Sequence, residues 1–84
     1  MYSIEFERQA IKDLRRLAPK LMHQIQEKID SLAQDPKLHG CEKVKTIPGY
    51  LRIRSGEYRI LYEVNDKQRL VIINRIRHRR EAYR

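Results

Sequence analysis

The apolar residues of this chain recur at two different spacings, and the change from one to the other limits the folds open to it. Between residues 10 and 33 they fall three or four apart: Ala10, Ile11, Leu14, Leu17 and Ala18, then Leu21, Met22, Ile25, Ile29, Leu32 and Ala33. That spacing lays one apolar stripe along a helix. Pro19 divides the two runs, so the first helix is expected to stop there and the second to end near Asp35 and Pro36. Tyr2, Ile4 and Phe6 alternate with polar residues and predict a strand over 2–6. From Leu51 onward the alternation returns. Leu51 and Ile53 interleave with Arg52 and Arg54, Ser55 and Gly56 mark a turn, and Tyr58, Ile60, Tyr62 and Val64 continue the pattern. A second turn at 65–68 leads to the run LVIINRIR, and HRREAYR is left as a basic tail. The predicted order is β-α-α-β-β-β, an α+β fold whose antiparallel sheet carries a helical hairpin on one face.

The chain has 84 residues, which suits a single domain over 1–84 with a small core. A deep cofactor cavity would cost such a core too much, so a surface site is expected. Cys41 is the single cysteine and cannot form an internal disulfide. Neither its surroundings nor the other residues show zinc-ligand spacing, so no metal or cofactor is expected, and a reducing cytoplasm is the natural compartment. No segment approaches the roughly 20 apolar residues that span a bilayer, so no membrane partner is expected.

Lys and Arg number 19 against 11 Asp and Glu, a formal charge of +8. The excess is uneven. Residues 1–41 carry 7 basic and 6 acidic side chains, whereas residues 42–84 carry 12 and 5. A basic half in a small fold favours a polyanion, and nucleic acid is the commonest in the cytosol.

The strand pattern says where that charge points. With a two-residue turn in the first hairpin, Arg52, Arg54 and Arg59 share one face, opposite the apolar face that the helices cover. In the last strand, one register buries Leu70, Ile72, Asn74 and Ile76, and the other buries Arg75 and Arg77. Burying two guanidiniums without acidic partners costs several kcal/mol each, so the first register is preferred, with an odd-length loop around Lys67. Arg75 and Arg77 then join Arg52, Arg54 and Arg59, and Leu61, Val71 and Ile73 form an apolar strip beside them, where a partner's segment or a terminus would pack. Guanidinium forks match phosphate oxygens bidentately, so this face reads as a phosphate-binding groove. The plainer alternative pairs these arginines with acids on the helices or in the tail, such as Glu81.

RNA supplies its own nucleophile, the 2′-OH. Cleavage needs in-line geometry, a proton acceptor, stabilisation of the phosphorane and protonation of the leaving 5′ oxygen. His78 and Tyr83 are the tail residues suited to proton transfer, and the arginines suit the charge stabilisation. Tyr50 is placed to stack on a base, and Lys43, Lys45 and Arg79 extend the backbone track. His23, His39 and Cys41 are assigned no role.

The stretches YLRIRSGEYRILYEV and INRIRHRREAYR resemble the RelE/ParE toxin superfamily, and the element order agrees along nearly the whole chain. The resemblance implies a type II toxin in which Arg59, of the Tyr58-Arg59 pair, and Arg77 are catalytic arginines, with Tyr83 as the tail tyrosine and Arg52 and Arg54 on the basic strand. In the RelE type it implies metal-independent cleavage of mRNA in the ribosomal A site, beside the small-subunit ribosomal RNA, by 2′-OH attack, with a small RelB-like antitoxin as partner. The RelE-type site commonly carries lysines where Arg52 and Arg54 stand, and the base is open between Tyr83 and His78. Two other readings compete: a ParE-like toxin that inhibits gyrase without cutting RNA, and a non-toxic RNA-binding module. Arg59 and Arg77 are both expected to project into solvent.

Overall fold

The computed structural model describes residues 1–82, with side chains through residue 80. The elements are β1 (Ser3–Phe6), α1 (Arg8–Arg15), α2 (Pro19–Gln34), β2 (Glu42–Lys43), β3 (Tyr50–Ser55), β4 (Tyr58–Asn65), β5 (Leu70–His78) and α3 (Arg79–Ala82). The predicted order is present, with two short additions: β2 in the polar stretch after α2, and α3 in the basic tail. Among the described residues, no helix is long and apolar enough to cross a membrane.

The sheet runs in the order β1-β5-β4-β3-β2, with β1 parallel to β5 and the remaining neighbours antiparallel. The helices cover one face of it. Pro19 does not end the first helix as expected. α1 closes at Arg15, with Lys12 and Arg15 in its last turn, and Pro19 opens α2 from its first turn, where its fixed φ and missing N–H cost nothing. Ala10 from α1 and Ile25, Ile29 and Leu32 from α2 bury their side chains against Ile53, Ile60, Tyr62, Val71, Ile73 and Ile76 of the sheet. Inside this core the Tyr62 hydroxyl donates to the Pro36 carbonyl oxygen at 2.6 Å. Burial pushes its pKa well above the ordinary phenol range.

The β3–β4 turn is the expected two-residue one. Ser55 pairs with Tyr58, and Gly56, the first loop residue, has φ +60°, a conformation that L side chains rarely adopt. Arg52, Arg54 and Arg59 therefore share a face, as the alternation predicts.

The β4–β5 register corrects the expectation. Asn65 pairs with Leu70, so residues 66–69 form an even loop rather than an odd one. Leu61 then pairs with Arg75 but Tyr62 with Ile73, which leaves Asn74 as an extra residue in β5. This β-bulge reverses the alternation partway along the strand. Val71 and Ile73 point into the core before it and Ile76 points into the core after it, all three almost wholly buried. The expected outward apolar strip of Leu61, Val71 and Ile73 therefore does not exist. Leu61 keeps its outward place, and the half-buried Leu70 and Ile72 take the outer face in place of Val71 and Ile73. One bulge satisfies both halves of β5, burying the aliphatic residues while Arg75 and Arg77 stay outside.

Candidate nucleic-acid interface

On the face away from the helices, the ladder pairs Arg54 with Arg59 and Arg59 with Arg77. Three arginines thus stand in one row across β3, β4 and β5, with Cβ atoms about 5 Å apart at each step. The next row along the sheet is Arg52, Leu61 and Arg75. All five predicted strand arginines share the face, but their surroundings divide them.

Arg75 leaves the groove. Its Nε donates to Asp13 of α1 at 2.9 Å and its Nη2 at 3.3 Å, and the Ile76 backbone N–H donates to the same carboxylate at 2.9 Å. Burial alone would raise the Asp13 pKa, but the bonds from Arg75 and from the Ile76 N–H outweigh it and hold the carboxyl below its ordinary value. The expectation that Arg75 converges with the other arginines is corrected by this pair. Arg52 is drawn sideways as well, its Nη2 lying 3.3 Å from Glu42 across β2 and β3 in a solvent-exposed pair.

Arg59 does not project into solvent as expected. It is only 7% exposed, at the centre of the row, with Arg54 and Arg77 on the neighbouring strands. With Arg54, Gly56, Glu57, Tyr58 and Arg79 it lines a cleft of about 200 Å³. Arg79 reaches that cleft because its N–H donates to the Glu57 carbonyl oxygen at 2.7 Å, which ties the start of α3 to the β3–β4 turn. Arg54 is exposed and, among the described residues, has no acidic partner.

His78 and the row of arginines lie on opposite sides of β5. His78 pairs with Tyr58, one position out of phase with Arg77, and the two rings meet edge to face with centroids 5.2 Å apart. Its Nδ1 accepts the Arg80 backbone N–H at 3.2 Å. Tyr83 lies outside the described residues.

Lys43, Lys45 and Tyr50 gather at the other end of the sheet, around a second cleft shared with Lys37 and Asp66. Tyr50 is on the arginine face but four residues from Arg54 along β3, about 13 Å at strand rise. Lys43 pairs with Leu51 and so faces the helix side. Arg54, Arg59, Arg77 and Arg79 are brought together; Lys43, Lys45 and Tyr50 are not part of that group.

Asp13 was the residue to which sequence reasoning gave no role. Its signal was present: it sits three residues after Ala10, on the buried stripe of an otherwise basic helix, where an acid has to find a partner.

The profile of the family described as "ParE toxin of type II toxin-antitoxin system, parDE" matches residues 4–83. The chain is 31% identical over 84 residues to "Toxin RelG" of Mycobacterium tuberculosis, covering 99% of this chain and 97% of that one. It is 27% identical over 86 residues to "mRNA interferase toxin RelE" of Escherichia coli, covering 98% of this chain and 90% of that one. Its fold superposes on the toxin-antitoxin complex RelBE2 of Mycobacterium tuberculosis with a TM-score of 0.81 at 30% identity, covering 93% of this chain and 98% of that one. The RelB-RelE complex of Methanococcus jannaschii gives a TM-score of 0.75 at 29% identity, covering 94% of each chain. A profile match over almost the whole length, full-length relatives and a shared five-stranded fold agree, and the chain belongs to the RelE/ParE superfamily of type II toxins, on its RelE side.

Proposed function

We propose that this toxin is an endoribonuclease that cuts mRNA on the ribosome in the cytoplasm and is held in check by a small antitoxin covering the arginine row. The observation that carries the reading is the row Arg54, Arg59 and Arg77 across three adjacent strands. Guanidinium forks repeated at this spacing across adjacent strands match successive phosphate oxygens bidentately, so the arrangement favours a bound polyanion or an acidic partner. The relatives named RelE and RelG support the nuclease class, and the solved RelB-RelE complexes support a protein antitoxin.

In the proposed reaction the 2′-oxygen attacks the adjacent phosphorus while the bond to the 5′ oxygen breaks, giving a 2′,3′-cyclic phosphate and a 5′-hydroxyl. A base takes the 2′-OH proton and an acid protonates the leaving oxygen. Arg59 and Arg77 stabilise the charge that grows on the phosphoryl oxygens, and Arg54 and Arg79 hold the flanking backbone. Tyr83 is assigned the proton transfer, since the β5 register turns His78 toward Tyr58. Arg52 borders the groove beside its acid partner Glu42. The steps are carried by side chains and the substrate's own hydroxyl.

The test is tightly controlled expression followed by mapping of mRNA 5′ ends on ribosomes. Cuts phased with codons are expected for the wild type and lost in Arg77→Ala. The competing reading, gyrase inhibition, predicts instead that supercoiling falls while mRNA stays intact.

A further inference from the structure

β1 ends its pairing with β5 at Phe6 and Ile73, and the Glu7 N–H donates to the Ile73 carbonyl oxygen at 2.9 Å. Past that point, among the described residues, this side of β5 has no neighbouring strand in the sheet. Up to Ile73 the odd-numbered residues turn their backbone groups toward β1, as the bonds accepted by Arg69 and Ile73 show. After the extra residue Asn74 the phase reverses, and it is the Ile76 N–H that points to this side. Asp13 meets it at 2.9 Å. The same carboxylate draws Arg75 off the sheet face through its Nε and Nη2.

We propose that Asp13 is a positioning residue for the arginine row: by accepting the Ile76 N–H and the Arg75 guanidinium, it locks the β5 bulge in the register that sets Arg77 opposite Arg59. Were the bulge lost, so that a single alternation ran along the whole of β5, Arg77 would turn toward the core side and an odd-numbered N–H would face α1 in place of that of Ile76, out of reach of the same bonds. The carboxylate therefore selects one of two phases of the strand. It does so from the buried side, without touching substrate. This rests on the proposed nuclease function only for its kinetic consequence; the register itself is read directly.

Three variants separate the effects. Asp13→Asn keeps an acceptor oxygen for Ile76. Asp13→Ala removes both bonds. The double variant Asp13→Ala with Arg75→Ala also leaves no guanidinium without its acid, so it folds even if Asp13→Ala does not. In NMR of labelled protein, the Ile76 amide is expected to lose its exchange protection, and the Arg59–Arg77 cross-strand contact to vanish, in the alanine variants but not in Asp13→Asn. In ribosome-dependent cleavage, the double variant is expected to lose about 100-fold in kcat, as misplacement of a catalytic group by about 1 Å does, with KM changed less than about threefold. Asp13→Asn restores most of the rate. A double variant with the Arg59–Arg77 contact and kcat of the wild type overturns the proposal, as does a drop in melting temperature with kcat intact. If the wild type itself cuts no mRNA, the proposed function fails while the NMR arm still decides the register.

Discussion

Arg77 stands directly opposite Arg59 in the β4–β5 ladder, although the two are 18 positions apart and both are charged. Under the proposed function, a scissile phosphate held between them meets two forks from adjacent strands. Replacing Arg77, the more accessible of the two, with alanine is expected to lower the cleavage rate by about 10²- to 10³-fold while leaving the fold intact. Single-turnover cleavage of ribosome-bound mRNA, together with a thermal melt, checks both halves. Arg59→Ala is expected to lose activity to a similar degree and also to lower the melting temperature, because its side chain is buried.

Arg54 is exposed at the end of the row and, in the proposed function, contacts only the backbone. Arg54→Ala is expected to weaken binding of single-stranded RNA without regard to sequence and to reduce the slope of log K against log salt by about 0.7. Titrations at several salt concentrations measure it. An unchanged slope would remove Arg54 from the phosphate track.

The Asp13 carboxyl sets an acid limit on stability. Its pKa in the folded chain lies below the ordinary value of 3.8. The pair with Arg75 therefore stabilises fully above that value, and its contribution disappears as pH falls through the lower, folded-state value. Between about pH 5 and pH 2 the wild type is expected to lose more stability than Asp13→Asn, which has no proton to gain there. Denaturant unfolding across that range gives the two curves. Parallel curves would mean that the Asp13 bonds do not contribute in the folded state.

Tyr62→Phe keeps the ring in the core but leaves the Pro36 carbonyl without its donor. The expected loss is about 1 to 2 kcal/mol in unfolding free energy, with an unchanged dependence on denaturant. The same urea titration at neutral pH reads it.

Much of the architecture was visible in the spacing of apolar residues. The two helical stripes, the two-residue turn at Gly56 and the shared face of Arg52, Arg54 and Arg59 follow from period and parity. The phase of β5 did not, because LVIINRIRH contains two apolar sets of opposite parity, Val71 with Ile73 and then Ile76. A rule that keeps one alternation along a strand has to expose one set: the penalty for burying arginine placed Ile76, Arg75 and Arg77 on their observed sides and wrongly turned Val71 and Ile73 outward. The conflict itself was the signal of a bulge at Asn74. The division among the arginines was hidden for another reason. Charge pairing across distant elements, as between Asp13 and Arg75, depends on which helix crosses which strand. Lys43 and Lys45 look adjacent to the basic strands in sequence, but β2 is an edge strand that turns Lys43 to the helix side, and Lys45 lies just beyond it, at the end of the sheet near Tyr50.

The parallel ladder between β1 and β5 joins residues 3–6 to residues 70–73. Its closure must wait for nearly all the intervening chain, which makes it a slow, long-range event in folding. The arginine row depends on that closure, since Arg77 lies in β5 itself, four residues beyond the segment that β1 holds. A nascent chain still inside the exit tunnel at residue 77 has no assembled row. Under the proposed function, a chain that has not yet closed this ladder lacks the assembled groups that cleave.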